Sequence, residues 1–245
     1  MKNFSSTLLA HLQPEAKIAV LTGAGISAES GLSTFRGPDG LWKNYRPENL
    51  ATPEAFQRDP KLVWEWYNHR REAVRQHAPN PGHFALAQME ALFKDFTLIT
   101  QNVDGYHRRA GSRAVYELHG NIMKSRCREC NHECEAGEEN WREGLACCSC
   151  AGLYRPGVVW FGEMLPQRAL QQAFVAAETC QVFFSIGTSA MVYPAAALPQ
   201  IAAERGKYVV EINPEETALT PLANEFLQGK AGEILPALVN RIKQV

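Results

Sequence analysis

Short apolar runs alternate with amphipathic stretches along most of the chain. Five runs are rich in β-branched and aromatic side chains and have the length of buried strands: residues 17–22, 96–100, 114–118, 182–187 and 207–212. Apolar residues recur at helical spacing over 81–93, 167–178 and 195–204. This alternation predicts a mainly parallel sheet covered by helices on both faces. A short helix is predicted before the first strand, with its inward side formed by Leu8, Leu9 and Leu12.

Two segments interrupt the alternation. Residues 37–80 are rich in aromatic and charged side chains and predict a loop followed by a helical layer. Residues 121–157 are polar, Cys-rich and poor in large apolar side chains. The second segment cannot build a hydrophobic core of its own, so something else must hold it.

Bulk composition excludes several classes of protein. A chain of 245 residues can bury a substantial core. The formal net charge of −1 gives no electrostatic case for nucleic acid or a membrane surface as a partner. No apolar run approaches the roughly 20 residues that span a bilayer, and the first residues lack the features of a secretory signal. We therefore expect a cytoplasmic protein.

Five of the seven cysteines lie in two tight groups. The first group is a C-x-x-C pair, and the second follows after sixteen intervening residues, the spacing of a zinc ribbon. Four thiolates leave no position for water, so the metal is predicted to be structural. Cys148 and Cys134 are also available, but the spacing favours Cys127, Cys130, Cys147 and Cys150.

The cysteines have two other interpretations, and the sequence disfavours both. A disulfide framework is disfavoured by the odd number of cysteines and by the expected absence of an export signal. A nucleic-acid-binding zinc module is disfavoured because several glutamates accompany the basic residues Lys124, Arg126 and Arg128.

The first predicted strand ends in a glycine-rich turn, Gly23-Ala24-Gly25-Ile26-Ser27-Ala28. This sequence fits the G-x-G-x-x-A turn that binds dinucleotides, in which the glycines permit a tight turn and the approach of a pyrophosphate. We therefore predict an α/β fold: a Rossmann-like parallel sheet domain with a smaller helical plus zinc-ribbon domain. The larger domain is predicted to comprise 1–36, 81–120 and 158–245, and the smaller one 37–80 and 121–157.

Polar residues also follow other predicted strands. Gln101, Asn102 and Asp104 come after 96–100, and His119 ends the strand at 114–118. Taken alone, Gln101, Asn102 and Asp104 fit a turn with ordinary capping residues, and His119 fits a structural histidine. At strand ends facing one cleft, however, they lie where parallel sheets bind ligands, and a histidine there has the chemistry of a general base.

Across nearly its whole length the chain resembles the sirtuins, the NAD-dependent protein lysine deacylases. The shared motifs, in family order, are GAGIS, TFRG, TQNVDGYHRRAG, ELHG, the paired cysteines, VVWFGE, IGTS and EIN. The resemblance implies NAD as co-substrate, one structural zinc ion and acylated lysine side chains of proteins as substrates. The products of the implied reaction are free lysine, nicotinamide and O-acyl-ADP-ribose.

The resemblance also implies a role for each site residue. His119 is the general base, Asn102 contacts the nicotinamide ribose and positions a water, Asp104 binds the carboxamide, and Phe35 shields the reactive ribose carbon. The further implied cofactor contacts are Gly23, Ala24, Gly25, Ser27, Arg36, Trp42, Gln101, Gly187, Thr188, Ser189, Asn213 and Ala231.

A predicted helix of the smaller domain carries Tyr67 and Arg70, which share one face because they are three residues apart. A random pair of this kind is usually a solvated helix face. Here it resembles the tyrosine–arginine motif of the desuccinylase subgroup (class III), whose phenol and guanidinium suit a distal acyl carboxylate. The resemblance further implies a strand at 158–163 that pairs with the substrate backbone, with contacts from Val159, Phe161 and Gly162.

The predicted function is therefore NAD-dependent removal of acetyl and, more specifically, succinyl or malonyl groups from protein lysines. Protein mono-ADP-ribosyl transfer is an alternative because it shares the first step. A non-catalytic NAD or ADP-ribose sensor is the other alternative. The presence of both Asn102 and His119 argues against a sensor, because binding alone needs no base.

Overall fold

A computed structural model describes residues 4–35, 40–41, 46–135 and 144–244. Its main sheet has six parallel strands in the order β3-β2-β1-β7-β8-β9. These strands are β1 Lys17–Thr22, β2 Asp95–Thr100, β3 Val115–Glu117, β7 Val182–Ile186, β8 Tyr208–Asn213 and β9 Glu225–Gln228. A second, three-stranded antiparallel sheet has the order β5-β4-β6, with β4 Gly120–Cys127, β5 Glu133–Glu135 and β6 Tyr154–Val158.

Helices cover both faces of the main sheet. On one face lie α1 Ser6–His11, α6 Pro81–Leu92 and α10 Ala231–Ile242, and on the other lie α8 Gln167–Thr179 and α9 Ala197–Glu204. The remaining helices are α2 Gly25–Ala28, α3 Pro47–Leu50, α4 Pro53–Arg58, α5 Pro60–Gln76 and α7 Tyr106–Arg109. No helix in the described ranges is long and apolar enough to cross a membrane.

The central strand β1 shows why the sheet is buried on both sides. Ile18 and Val20 point into the core beneath α6 and α10, whereas Ala19 and Leu21 point into the core beneath α8 and α9. All four side chains are at most 2% exposed. A strand with two buried faces needs a continuous apolar run rather than an alternating one, which is the pattern of this segment.

The Cys-rich segment is held by a separate aromatic core and by one buried arginine. Trp64, Tyr154 and Trp160 belong to a cluster that joins α5 to the three-stranded sheet. Arg71 on α5 is fully buried, and its Nε and Nη2 donate to the carbonyls of Ile122 and Lys124 at 2.5 and 2.7 Å. The polar segment therefore depends on contacts with the helical layer, as its composition requires.

The strand order places a crevice at the carboxyl ends of β1 and β7. From β1 the sheet grows through β2 and β3 in one direction and through β7, β8 and β9 in the other. The crossover connections leave these two neighbouring strands toward opposite sides, and ligands of open α/β sheets bind at this point. The turns after β1 and β7 therefore form the floor of the candidate site.

The predicted α/β fold class is confirmed, and the predicted helices and sheet strands lie within two residues of the observed ones at each end. The sequence pattern missed β9 and all three strands of the smaller sheet, because these strands are too polar or too short to show a clear apolar run. The predicted strand over 158–163 is wrong, because β6 ends at Val158 and the chain turns at 161–163. The proposed division into two domains stays a prediction.

Candidate active site at the carboxyl edge of the sheet

The glycine-rich turn after β1 packs against the turn after β7. Gly23 donates its N–H to Ile186, and Gly25 donates its N–H to Gly187. A Cβ on Gly23 would lie 2.7 Å from the Gly187 carbonyl oxygen, and one on Gly25 would lie 2.7 Å from the Gly187 Cα. Gly187 itself has a φ of +59°. Contact between the two turns therefore requires the glycines, in addition to any need for a ligand to approach.

A cavity of about 190 Å³ opens beside these turns. Its walls include both glycine turns, the ends of β8 and β9 and the start of α10, through Gly25, Gly187, Ile212, Lys230 and Ala231. These walls are small and mostly apolar, and α10 begins with Ala231 at the cavity. Such walls suit the planar base and ribose of a nucleoside.

Asn102, Ser27 and Asp104 form a buried hydrogen-bonded group beside the glycine turn. The Asn102 Nδ2 donates to the Gly23 carbonyl at 3.0 Å and to Ser27 Oγ at 3.2 Å, and Ser27 Oγ donates to Asp104 Oδ2 at 2.8 Å. The second oxygen of Asp104 accepts the Tyr106 N–H. Asn102 and Asp104 are 5% and 6% exposed. The two side chains predicted at the nicotinamide end are thus fixed by short bonds.

The electrostatics of Asp104 follow from its burial. Burial raises the pKa of this carboxyl above its ordinary value, whereas the Tyr106 N–H, the Ser27 hydroxyl and the positive charge of Arg70 act in the opposite direction. A buried carboxyl of this kind is stabilised when a polar ligand donates a further hydrogen bond to it, as a carboxamide N–H₂ does.

His119 lies in the turn between β3 and β4 and is half-buried. Its Nδ1 is 2.9 Å from the Gln101 carbonyl oxygen, which only accepts, so the proton of the neutral ring must be on Nδ1. Burial lowers the pKa of His119 below its ordinary 6.5, and the bond to Gln101 partly offsets this. The ring is therefore neutral near pH 7 and leaves the Nε2 lone pair available as a base.

Gln101 also connects His119 to the other half of the crevice. Its Nε2 donates to Thr188 Oγ1 at 3.0 Å, and the Thr188 carbonyl accepts from Asn213 Nδ2 at 2.9 Å. Gln101 follows β2, Thr188 lies in the turn after β7, and Asn213 is the last residue of β8. The sheet therefore brings together, in one continuous row, polar residues from three separate parts of the sequence. Ser189, the next predicted contact, is exposed.

Behind this row lies a buried polar layer that sequence reasoning missed. Thr100 Oγ1 accepts the Asn102 N–H, and Thr22 Oγ1 donates to Thr100. His83 Nε2 lies 3.3 Å from Ser27 Oγ, and His107 Nε2 lies 2.9 Å from Thr22 Oγ1. The two threonines end β1 and β2, so their position was a usable signal. Nothing in the sequence set His83 apart from other residues of its helix.

Tyr67 and Arg70 lie on α5 but have different surroundings. Tyr67 is buried, and its hydroxyl accepts from Trp160 Nε1 at 2.9 Å. The Arg70 guanidinium lies 4.5 Å from the ring centre of Phe35 and 5.0 Å from that of Trp66. Its Nε is buried without a hydrogen-bond acceptor among the described residues. Burial lowers the pKa of Arg70 to about 10, so the guanidinium stays charged at neutral pH.

The segment after β6 is fixed by hydrogen bonds to its own chain. The Val159 N–H donates to the His119 carbonyl at 2.8 Å, and the Phe161 N–H donates to the Ala51 carbonyl at 2.9 Å. The Phe161 side chain is nevertheless 45% exposed, and Gly162 is exposed with a φ of +87°. The hydrogen bond from Val159 places this segment directly beside the proposed general base.

Four thiols converge on one point, as the C-x-x-C spacing predicts. The Sγ atoms of Cys127, Cys130, Cys147 and Cys150 all lie within 4.8 Å of one another, with pairs at 3.5 and 3.7 Å. A tetrahedral zinc ion with four Zn–S bonds of 2.3 Å requires separations of about 3.8 Å. Cys148 lies outside this cluster, next to His132 Nε2 at 3.5 Å. The four thiols fit a structural zinc ion.

Two predicted cofactor contacts, Arg36 and Trp42, lie outside the described residues. The segment that joins Phe35 to α3 is described only at residues 40–41 and 46 onward.

Comparison with known proteins agrees with this geometry. The model of the Sir2 family matches residues 23–194. An NAD-dependent protein deacylase of Pyrobaculum aerophilum is 54% identical over 225 residues, which are 92% of this chain and 90% of that protein. The crystal structure of a Sir2 homologue–NAD complex is 48% identical with a TM-score of 0.90, covering 99% of this chain and 95% of that one. The protein therefore belongs to the Sir2 family, the sirtuins.

A third comparison concerns a bound peptide. A Sir2 variant with histidine replaced by alanine, in complex with a deacetylated p53 peptide and 3'-O-acetyl ADP-ribose, is 33% identical to this chain. The TM-score is 0.82, and the match covers 96% of this chain and 97% of that one.

Proposed function

We propose that this protein is an NAD-dependent protein-lysine deacylase. One observation carries the proposal: His119 is held as the Nδ1-protonated neutral ring by the Gln101 carbonyl, and the residue after Gln101 is Asn102 of the Asn102–Ser27–Asp104 group. This arrangement supports a base and a nicotinamide site that share one crevice. The relatives named as deacylases, and the Sir2 complexes with NAD and with peptide and acetyl ADP-ribose, support this assignment.

Two parts of the crevice fit the two halves of NAD. The cavity beside Gly25 and Ala231 suits the adenosine half, with Asn213 nearby at the end of β8. The crevice between the glycine turn and Thr188 suits the pyrophosphate, because the turn after β1 has the G-x-G-x-x-A form that lets a phosphate approach the backbone. Asn102 and Asp104 would hold the nicotinamide riboside.

In the proposed reaction, NAD supplies a ribose carbon that the acyl oxygen attacks as nicotinamide leaves. His119 would then accept a proton from a ribose hydroxyl at Nε2, the ring nitrogen left free by Gln101, so that the hydroxyl oxygen bonds to the acyl carbon. Phe35 excludes water from the reacting carbon, and the Arg70 guanidinium against its ring helps to hold it. Hydrolysis by water finally releases lysine and O-acyl-ADP-ribose.

A product assay tests this proposal directly. Acetyl-, succinyl- and unmodified lysine peptides are incubated with and without NAD, and the products are identified by mass spectrometry. We expect NAD-dependent loss of the acyl group with one nicotinamide and one O-acyl-ADP-ribose per lysine released. ADP-ribosylated peptide as the main product would instead indicate a transferase, and NAD binding without turnover would indicate a sensor.

The pH dependence of kcat/KM is expected to have an acid limb below pH 6.5. His119 must be neutral to act as a base, and burial lowers its pKa below 6.5. Activity is therefore present above this pKa and is lost as the pH falls through it. Measuring kcat/KM from pH 5 to 9 checks this, and a limb with its midpoint above pH 6.5 would point to a different titrating group.

We further propose that the enzyme prefers acyl groups with a distal carboxylate, such as succinyl or malonyl. Arg70 supports this preference because it is charged, partly desolvated and has a buried Nε with no acceptor among the described residues. A carboxylate can satisfy a guanidinium in a bidentate manner, and an acetyl group cannot. The Tyr67 hydroxyl, which already accepts from Trp160, still has its own hydrogen to donate.

One zinc ion per chain is expected at the four-thiol cluster. Because the polar segment has little apolar core of its own, metal binding should contribute directly to folding. Cys147→Ser is expected to lose zinc and to lower the unfolding temperature. Cys148→Ser is the matched control and should keep both, since its sulfur lies outside the cluster.

Elemental analysis and thermal unfolding measure these two quantities. If zinc is retained in Cys147→Ser but lost in Cys148→Ser, Cys148 is the zinc ligand and Cys147 is not. Zinc absent from active wild-type protein would refute the site.

Four reduced thiols also suit a reducing compartment such as the cytoplasm, which we propose as the location.

A further inference from the structure

A second cavity, of about 170 Å³, lies where α4, the three-stranded sheet and the Trp160–Glu163 segment meet. It is separate from the residues of the proposed NAD site. The polar side chains in its walls are three arginines, two amides and one carboxylate: Arg126, Arg128, Arg155, Gln57, Asn131 and Glu163. Three guanidinium groups against one carboxylate give the walls a net positive charge.

Arg155 is fully engaged within the protein. Its Nη1 and Nη2 bond to the two Glu163 oxygens, its Nη2 donates to the Val158 carbonyl, and its Nε donates to Pro156. The guanidinium also lies 3.3 Å from the ring centre of Trp160. Glu163 receives a further bond from the Trp160 N–H at 2.8 Å. The single carboxylate of the cavity is therefore largely neutralised by Arg155.

Arg126 and Arg128 are left with donors to spare. Arg126 lies opposite Arg155 in the β4–β6 register and opposite Glu133 in the β4–β5 register, but Glu133 pairs with Lys124 at 3.0 Å. Among the described residues, the ionic contact of Arg126 is with Glu163 at 3.6 Å, and Glu163 is already bonded to Arg155. Arg128 is exposed, with its guanidinium 5.6 Å from the ring centre of Phe56. Of the residues that the structure describes, no second carboxylate lines this cavity. Like charges on adjacent strands are unfavourable unless an anion lies between them.

We propose that this cavity binds the carboxylate of an aspartate or glutamate in the substrate protein, a few residues from the acyl-lysine. The proposal rests on the deacylase function proposed above. Trp160 and Glu163, which line the cavity, flank Phe161 and Gly162, the proposed contacts of the acyl-lysine. An extended peptide advances about 3.3 Å per residue, so a side chain within about four residues of the lysine reaches the cavity.

The chemistry favours a carboxylate over a neutral polar side chain. Two guanidinium groups present fixed N–H donors that pair with an anionic acceptor, and such charge-assisted bonds are about twice as strong as neutral ones. Arg126 is only 26% exposed, so solvent screens it less than an ordinary surface arginine.

Another role for these arginines is to balance the negative charge of four thiolates, since Cys127 lies between Arg126 and Arg128 in the sequence. That role predicts loss of zinc when either arginine is neutralised. Substrate recognition predicts no such loss, so zinc content distinguishes the two.

The experiment compares acetyl-lysine peptides that carry Glu or Gln at each of the four positions on either side of the lysine. Acetyl peptides are used so that Arg70 has no acyl carboxylate to bind. For the wild type we expect kcat/KM about tenfold higher for Glu than for Gln at one or two positions. Arg126→Gln and Arg128→Gln should remove this preference and process the neutral peptide at the wild-type rate.

Arg113→Gln is the matched control, because Arg113 is exposed on the main domain and paired with Glu90, far from this cavity in the fold. It should keep the preference. The proposal is overturned if no position prefers Glu, if the preference survives in both cavity variants, or if these variants lose zinc. Inorganic phosphate that slows neutral and acidic peptides equally would instead indicate a site for a free anion, and would also overturn it.

Failure of the proposed function has a different signature. If the wild type processes neither the neutral acetyl peptide nor its succinyl counterpart, the deacylase proposal fails. The cavity is then still tested by the binding of the Glu and Gln peptides, measured by fluorescence anisotropy in wild type and Arg126→Gln. Equal affinities of the two peptides for the wild type would overturn the cavity proposal independently.

Discussion

Replacing His119 with alanine is expected to reduce kcat for deacylation by about 10²- to 10⁴-fold, the usual contribution of a general base. Such a loss is equivalent to about 3–5 kcal/mol of barrier. The substitution removes the Nε2 base but leaves the Asn102–Ser27–Asp104 group intact, because no hydrogen bond of that group involves His119. NAD binding, measured by calorimetry, should therefore change much less than kcat.

His11→Ala is a suitable control for this prediction. His11 ends α1 and packs against the Tyr208 ring at the start of β8, so it lies at the opposite edge of the sheet from the crevice. Its kcat should match the wild type. A folded His119→Ala protein with near-wild-type turnover would remove His119 from the mechanism.

Replacing Arg70 with methionine is expected to lower kcat/KM for a succinyl peptide by two to three orders of magnitude, with a much smaller effect on the acetyl peptide. Removing one partner of a buried charge pair costs about 3–5 kcal/mol, whereas an acetyl group has no carboxylate to leave unpaired. The change should appear mostly in KM if the carboxylate is bound equally in ground and transition states. The measurement is the succinyl-to-acetyl ratio of kcat/KM on one peptide sequence.

Arg75→Met provides the matched control, because Arg75 is on the same helix, is 42% exposed and pairs with Glu72. The ratio should be unchanged there. Equal losses on both substrates in Arg70→Met would make Arg70 a scaffold residue that supports Phe35, and the protein would then be a general deacylase.

Tyr67→Phe is a less clean test of selectivity than Arg70→Met. The Tyr67 hydroxyl accepts the Trp160 Nε1 proton, so its removal leaves a buried donor unpaired at a cost of about 1–3 kcal/mol. Part of any effect of this variant therefore reflects a disturbed Trp160, which precedes the proposed acyl-lysine contacts.

Much of the main fold was predictable because its signals are local. The run at 17–22 is apolar at every position because β1 is buried on both faces, and a continuous apolar run is visible without knowledge of the partners. The four-thiol cluster was predictable for a similar reason, since each C-x-x-C spacing already brings two of its thiols together. The strands β4, β5 and β6 were missed because they are stabilised by Arg71 and the aromatic cluster of another segment.

The residue types of the site were also visible in the sequence, but their arrangement was not. Asn102 and His119 each lie just after a strand and Asn213 ends one, and their polarity at a strand end marked them as candidates. Their common crevice depends on the strand order around β1 and β7, which only long-range pairing decides.

The sequence by itself determined the classes of element, the four cysteines that cluster and the family resemblance, because these depend on periodicity, spacing and motif order. Only the tertiary structure decided the tautomer of His119, the buried layer of Thr22, Thr100 and His83, and the excess of arginine over carboxylate in the second cavity. Each of these depends on which atoms from distant segments come within about 3–4 Å of each other, and no local pattern specifies such distances.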